Sequence, residues 1–176
     1  VSMNGNWLRV SPDQLEQARA DLNWAYELAM TERDGDSERW AGTDKAWNAL
    51  DFLLDRLGFE IPLVLGAESF VEFPDVEPDS EEMFDFLENL EDDWGYGPPS
   101  YLTPDQVATA ASQLAALTED DLIRGVDPQE LKRADVYPGP WESPDELVWA
   151  AHYLPDVRNF FAAAARDGDA VICWLD

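Results

Sequence analysis

Cys173 and His152 are the chain's single cysteine and single histidine, so any thiol–imidazole dyad would have to be this one pair. Cys173 sits in an apolar, β-branched run where a thiol is ordinarily buried and inert, and His152 in an aromatic-rich helical stretch where a histidine is ordinarily structural. One Cys and one His exclude a disulfide framework and any metal site built from several nitrogen and sulfur ligands. No tightly bound catalytic metal and no redox cofactor are therefore expected. The chain has no Gly-x-Ser-x-Gly elbow and no phosphate-binding P-loop, and Gly95-Tyr96-Gly97-Pro98 stops short of a dinucleotide fingerprint. Asp34-Gly35-Asp36 and Asp167-Gly168-Asp169 bear calcium-type ligands, but neither continues into an EF-hand loop, and Asp-Gly is also ordinary turn chemistry. Among 38 acidic side chains some carboxylate pair falls at glycosidase separation by chance, so paired acids carry no information here. No catalytic residue is assigned.

One constellation is more specific. Asp44-Lys45-Ala46-Trp47-Asn48-Ala49-Leu50 opens a helix, Trp94–Pro104 is an aromatic Gly/Pro-rich loop entering another, and Val136-Tyr137-Pro138 with Trp141 precedes a third. Such loops either fill the core or line a pocket. A pocket would draw its walls from Trp47, Tyr101, Tyr137 and Trp141, with Trp94 and Tyr96 beside them and Asp44 and Lys45 as polar groups. Sealed aromatics and an exposed Asp44–Lys45 pair would argue against it.

The elements that would position these residues announce themselves at their starts. Ser11-Pro12-Asp13-Gln14, Thr103-Pro104-Asp105-Gln106 and Ser143-Pro144-Asp145-Glu146 share a capping hydroxyl, a first-turn Pro, an acid facing the helix dipole, and a Gln or Glu closing a capping box. Asp127-Pro128-Gln129-Glu130 repeats the pattern with an Asp cap. Helical periodicity runs through Leu15, Ala18, Leu22, Ala25 and Ala29, and through Ala46, Trp47, Leu50, Leu53, Leu54 and Leu57. It returns in Val107–Leu117 and in Leu147–Leu154, and after Pro155 in a segment that Gly168 stops. Trp7–Val10 and Ala170–Leu175 read as strands of one sheet, with Ile61–Leu65 as a third candidate. The predicted class is α+β, a helix-rich single domain with a small sheet that includes the N- and C-terminal strands.

With 176 residues, 45% hydrophobic and 12% aromatic, the chain can bury a core of its own. Its net charge of −27 repels phosphate backbones and anionic lipid heads, so no nucleic acid and no membrane are expected as partners. The lone thiol, and the lack of an apolar export signal in Val1–Val10, predict a cytoplasmic location. The charge is uneven: Leu57–Ile123 carries 17 acids and no Lys or Arg. Within it, Met83, Phe84, Leu87 and Leu90 recur at helical spacing, with Glu81, Asp85, Glu88 and Asp92 on the opposite face. Like charges four residues apart repel. Nothing local offsets that repulsion.

The chain resembles the YfbM-like family of small bacterial proteins, a domain of unknown function. The resemblance rests on Leu8-Arg9-Val10-Ser11-Pro12 with Leu15, on the Asp-Lys-Ala-Trp helix start and leucine-rich tail of Asp44–Leu54, on Tyr96–Pro104, and on Tyr137, Pro138 and Trp141. It departs where Asn48 and Asp51 stand at positions that family members often give to histidine, and in an acidic segment at about 67–97 that is longer and more negative. The resemblance implies one α+β domain over 1–176 and brings no reaction, cofactor or catalytic residue.

Two functional classes stay open. One is a non-enzymatic acidic binding protein for a basic protein partner, immunity-like, antitoxin-like or regulatory, docking on Glu81, Asp85, Glu88 and Asp92. The other is an enzyme or small-ligand protein using the aromatic pocket around Trp47, Tyr101, Tyr137 and Trp141.

Overall fold

A computed structural model describes residues 2–176, so that Val1 of the segment read for an export signal lies outside the described residues. The chain runs β1 (Gly5–Val10), α1 (Pro12–Ala20), α2 (Leu22–Asp34), β2 (Trp40–Asp44), α3 (Trp47–Arg56), β3 (Glu68–Ser69) and α4 (Glu81–Glu88). It continues through β4 (Ser100–Leu102), α5 (Pro104–Ala115), α6 (Glu119–Ile123), α7 (Pro128–Arg133), α8 (Pro144–Ala151), α9 (Leu154–Arg166) and β5 (Ala170–Leu175). The sheet has the order β2-β1-β5-β4-β3 and is antiparallel throughout. The two strands predicted near the chain ends are neighbours, Gly5 opposite Leu175 and Val10 opposite Ala170.

Strand alternation divides the core in two. Leu8, Val10, Ala170, Ile172 and Trp174 face Leu15, Ala18, Ala25 and Ala29 of α1 and α2. Trp7, Val171 and Cys173 face the opposite layer, where Leu50 and Leu53 of α3, Val107 and Leu114 of α5, and Phe160 and Phe161 of α9 meet them. The result is an α+β domain of three layers, with the sheet in the middle.

All four predicted capping boxes form, at Ser11, Thr103, Asp127 and Ser143. At Asp127 the closing carboxylate is Glu130, which accepts from the Asp127 backbone N–H and then from Arg56; both hold it below the usual carboxylate range. Three expectations need correction. The period from Leu15 to Ala29 is two helices, because the chain turns extended at Asp21, whose side chain caps α2 by accepting from the Trp24 N–H. Ile61–Leu65 forms turns and no strand: Pro62 has no N–H to give a ladder, and the Leu63 carbonyl accepts from the Trp7 indole at 2.7 Å. The helical face expected of Met83, Phe84, Leu87 and Leu90 is turned: α4 half-buries Met83 and Phe86, with Leu90 just beyond it, and leaves Phe84 and Leu87 exposed.

A buried ion cluster ties β1 to the α9–β5 turn. Arg9, 6% exposed, donates its Nε to Asp169, itself 4% exposed, and its Nη2 to Asp167. The Asp-Gly-Asp motif that has the look of a calcium loop holds a guanidinium. Cys173, fully enclosed in β5, has its thiol pKa pushed far up by desolvation. The thiol is therefore expected to stay unmodified by a thiol reagent in the native protein and to react fully once the chain is unfolded in denaturant; rapid native labelling would contradict this burial.

Candidate functional site

Residues between Gly66 and Pro99 form an arm rooted at both ends on the sheet. At its start β3 pairs with β4, and Gly66 (φ +79°) packs so close to Ser100 that a Cβ would lie 2.2 Å from Oγ. At its end the Asp93 carboxylate accepts the backbone N–H groups of Gly95 and Gly97 at 2.8 and 3.0 Å. Trp94 is buried there, edge-on to Trp174 and Tyr26.

Between these roots no residue from Val71 to Asp93 joins either core. Ser80 caps α4 by accepting from the Met83 N–H, and Phe73 packs on Phe86 at 5.6 Å. Phe84 is 60% exposed and Leu87 41%, and Phe73 is exposed beside them. Glu81, Asp85 and Glu88 are exposed and Asp92 half-buried. From Glu60 to Asp105 stand 14 acids, and among the described residues none of them is in an ion pair. An isolated helix of two turns is marginal in water. This one belongs to neither core, and Phe73 is the ring its half-buried Phe86 meets.

Of the four aromatics of the expected pocket, Trp47, Tyr137 and Trp141 share one layer and Tyr101 lies on the other side of the sheet. Trp47 is buried and stacks on Tyr137 at 6.1 Å, its indole donating to the Met3 carbonyl while the Tyr137 hydroxyl accepts from the Met3 N–H. Asn48 Oδ1 accepts from the Tyr137 N–H at 2.8 Å. These contacts pin the N-terminal segment to the 136–141 loop. Trp141 is sealed in the same layer and donates to the Val136 carbonyl. Tyr101 lies across the sheet against Phe70, and Trp94 belongs to that second core as well. Tyr96 is exposed. Asp44 and Lys45 are both exposed, and Asp44 accepts from the Tyr153 hydroxyl at 3.1 Å. Burial first, and then Asp44, raises the Tyr153 phenol above its ordinary pKa.

His152 and Cys173 are likewise apart, the histidine exposed and facing Glu119 while the thiol is enclosed in the sheet. Among the described residues no three His, Cys, Asp or Glu side chains gather closely enough to hold a metal ion.

A cleft that the sequence did not single out lies between α3, the 59–65 turns and the 134–136 segment, with a volume of about 430 Å³. Asp51 lines it half-buried, and burial followed by the neighbouring Asp55 charge raises its carboxyl pKa. The signal was available: Asp51 sits next to Leu50, Phe52, Leu53 and Leu54 on the most apolar helix of the chain's first half. A carboxyl with a raised folded-state pKa contributes stability below its unfolded value, and that stability is lost as pH rises through the folded value. Asp51→Asn is thus expected to raise the melting midpoint at neutral pH by ~1–2 °C, solvent at the mouth keeping the gain small, and to leave it unchanged in acid. A lowered neutral midpoint would assign Asp51 a stabilising partner.

A five-stranded antiparallel sheet between two helical layers, with chain ends paired at its centre, defines the class. A family model described as a domain of unknown function, DUF1877, matches residues 1–174, and the chain belongs to that family. The crystal structure of YfbM from Escherichia coli, a protein of unknown function, is similar with a TM-score of 0.57 and 16% identity, covering 98% of this chain and 99% of that one. Such a likeness carries the fold alone. No curated protein matches. No helix among the described residues is long and apolar enough to cross a membrane.

Proposed function

We propose that this chain is a non-enzymatic binding protein whose acidic arm receives a basic protein partner in the cytoplasm, in an immunity-like, antitoxin-like or regulatory role. The observation that supports this reading is α4. It belongs to neither core, exposes Phe84 and Leu87, and carries Glu81, Asp85 and Glu88, which have no ion pair among the described residues. Apolar anchors ringed by charges of one sign are suited to a partner of the opposite sign, with the charges setting association rate and specificity. The aromatic-pocket alternative is the less favoured reading, because Trp47 and Trp141 are buried and Tyr101 lies across the sheet from the other three aromatics.

The test is affinity capture from cells that express the protein natively, in low and high salt, with a Glu81→Gln/Asp85→Asn/Glu88→Gln variant and a Phe84→Ser/Leu87→Ser variant alongside. A basic protein held at low salt, released at high salt and lost with either variant is the expected result. No basic protein at either ionic strength, or equal capture by all three forms, overturns the reading.

The same charges predict how the free protein answers salt. The Debye length shrinks from about 10 Å at 0.1 M to about 3 Å at 1 M, which relieves repulsion among unpaired carboxylates. The melting midpoint at neutral pH is therefore expected to rise with sodium chloride. A flat or falling midpoint would show the carboxylates to be dispersed enough not to repel, and would weaken the electrostatic half of the argument.

A further inference from the structure

The cleft beside α3 differs from the arm in its elements and its chemistry. Its floor is Leu54, Leu63, Val64 and Val136, all buried, and Phe52, Phe59 and Ile61 are half-buried around it. Asp51 lines it, and Asp55 and Glu60 are exposed at its edge. No Lys, Arg or His lines it, and among the described residues Asp51, Asp55 and Glu60 have no ion pair. Its volume is in the range of small-molecule sites, roughly 300–1,000 Å³.

We propose that this cleft binds a small organic cation, an ammonium or amidinium group carried on an apolar body. The apolar floor selects the body, since a hydrated inorganic ion gains nothing from Leu54, Leu63, Val64 and Val136. Charge complementarity selects the head. A carboxylate half-withdrawn from water, with an acidic neighbour and no cation, is relieved by an incoming positive charge and penalises a negative one. Phe52 and Phe59 add aromatic faces, which favour a cation over a neutral group of equal size. The walls are set by the fold: the Trp7 indole fixes the Leu63 carbonyl, and the Tyr137 N–H on Asn48 fixes the 134–136 side against α3. An anion is excluded by the same three carboxylates.

The experiment titrates the full chain with phenethylammonium chloride, following backbone amide shifts by NMR and heat by calorimetry. Phenethyl alcohol and 3-phenylpropionate serve as the neutral and anionic isosteres. Saturable binding is expected, with shifts confined to residues 48–65 and 134–136. The alcohol should bind at least ten-fold more weakly and the carboxylate not at all. Asp51→Asn should weaken the ammonium at least ten-fold while leaving the alcohol unchanged, and its amide spectrum reports whether it is folded. Asp85→Asn/Glu88→Gln on α4 should change nothing, which separates this site from general attraction to an acidic protein and from the arm's proposed role. Equal affinity for ammonium and alcohol overturns the proposal, as do shifts spread over the acidic arm or an ammonium affinity indifferent to Asp51→Asn.

Discussion

Arg9→Met is expected to lower the unfolding free energy by about 3–5 kcal/mol, the usual penalty for removing one partner of a buried pair. In a chain of this length that is a fall of roughly 10 °C in the melting midpoint. The reason is the company Arg9 keeps. Its guanidinium neutralises Asp169, which is as deeply buried as the arginine, and also holds Asp167 at the surface end of the same turn. Met fills the volume and leaves Asp169 in an apolar layer without a cation. Adding Asp169→Asn to Arg9→Met should recover part of the loss, because the stranded charge is then gone. If the single variant melts within 2 °C of the parent, the cluster does not hold β1 to the α9–β5 turn.

Trp7→Ala should cost a similar amount, about 3–5 kcal/mol, through the cavity it opens. Trp7 is buried between Phe160 and Phe161, with ring centroids 6.2 and 5.5 Å away, and it alone reaches from β1 to the Leu63 carbonyl with an indole N–H. Trp7→Phe separates the two contributions. It keeps most of the ring and deletes the hydrogen bond, for which about 1–2 kcal/mol is expected. The conservative variant should also speed amide exchange in residues 61–65, since it cuts one of the ties from those turns to the sheet and leaves only the Cys173 thiol on the Leu63 carbonyl and the Ser100 hydroxyl on the Leu65 carbonyl. Unchanged exchange there with an unchanged midpoint would mean that the Leu63 carbonyl needs no indole.

Beyond the two apolar terminal strands, which do pair, what could be read from the amino-acid sequence was whatever is decided within about four residues. The boxes at Ser11, Thr103, Asp127 and Ser143 are local exchanges between a side chain and the next turn, so the residue types suffice. Asp21 shows the limit: the apolar period passes straight through it, and only its extended backbone separates α1 from α2. The outer strands β2, β3 and β4 lie beyond that limit. Ser100–Leu102 is a strand because Val171–Cys173 stands beside it, and Trp40–Asp44 because β1 does. Tyr101 is parted from Trp47, Tyr137 and Trp141 for a related reason. Tyr101 and Leu102 are neighbours in sequence but point to opposite faces of the sheet, so an aromatic loop does not deliver its rings to one place. Arg9 and the Asp-Gly-Asp turn meet only through the fold, more than 150 residues apart in the chain.

The strand at the sheet's centre is made from residues 170–175, after all nine helices of the described residues. During synthesis both helical layers leave the ribosome before the central strand of the sheet they cover. Until β5 enters between β1 and β4, Trp7 and Leu8 have half a sheet to pack on, and β1–β2 and β3–β4 are two separate ribbons. Folding therefore closes in one late, long-range step, the kind of pairing that makes folding slow. A nascent chain arrested before Ala170 should be digested by protease at a concentration that the chain through Asp176 withstands.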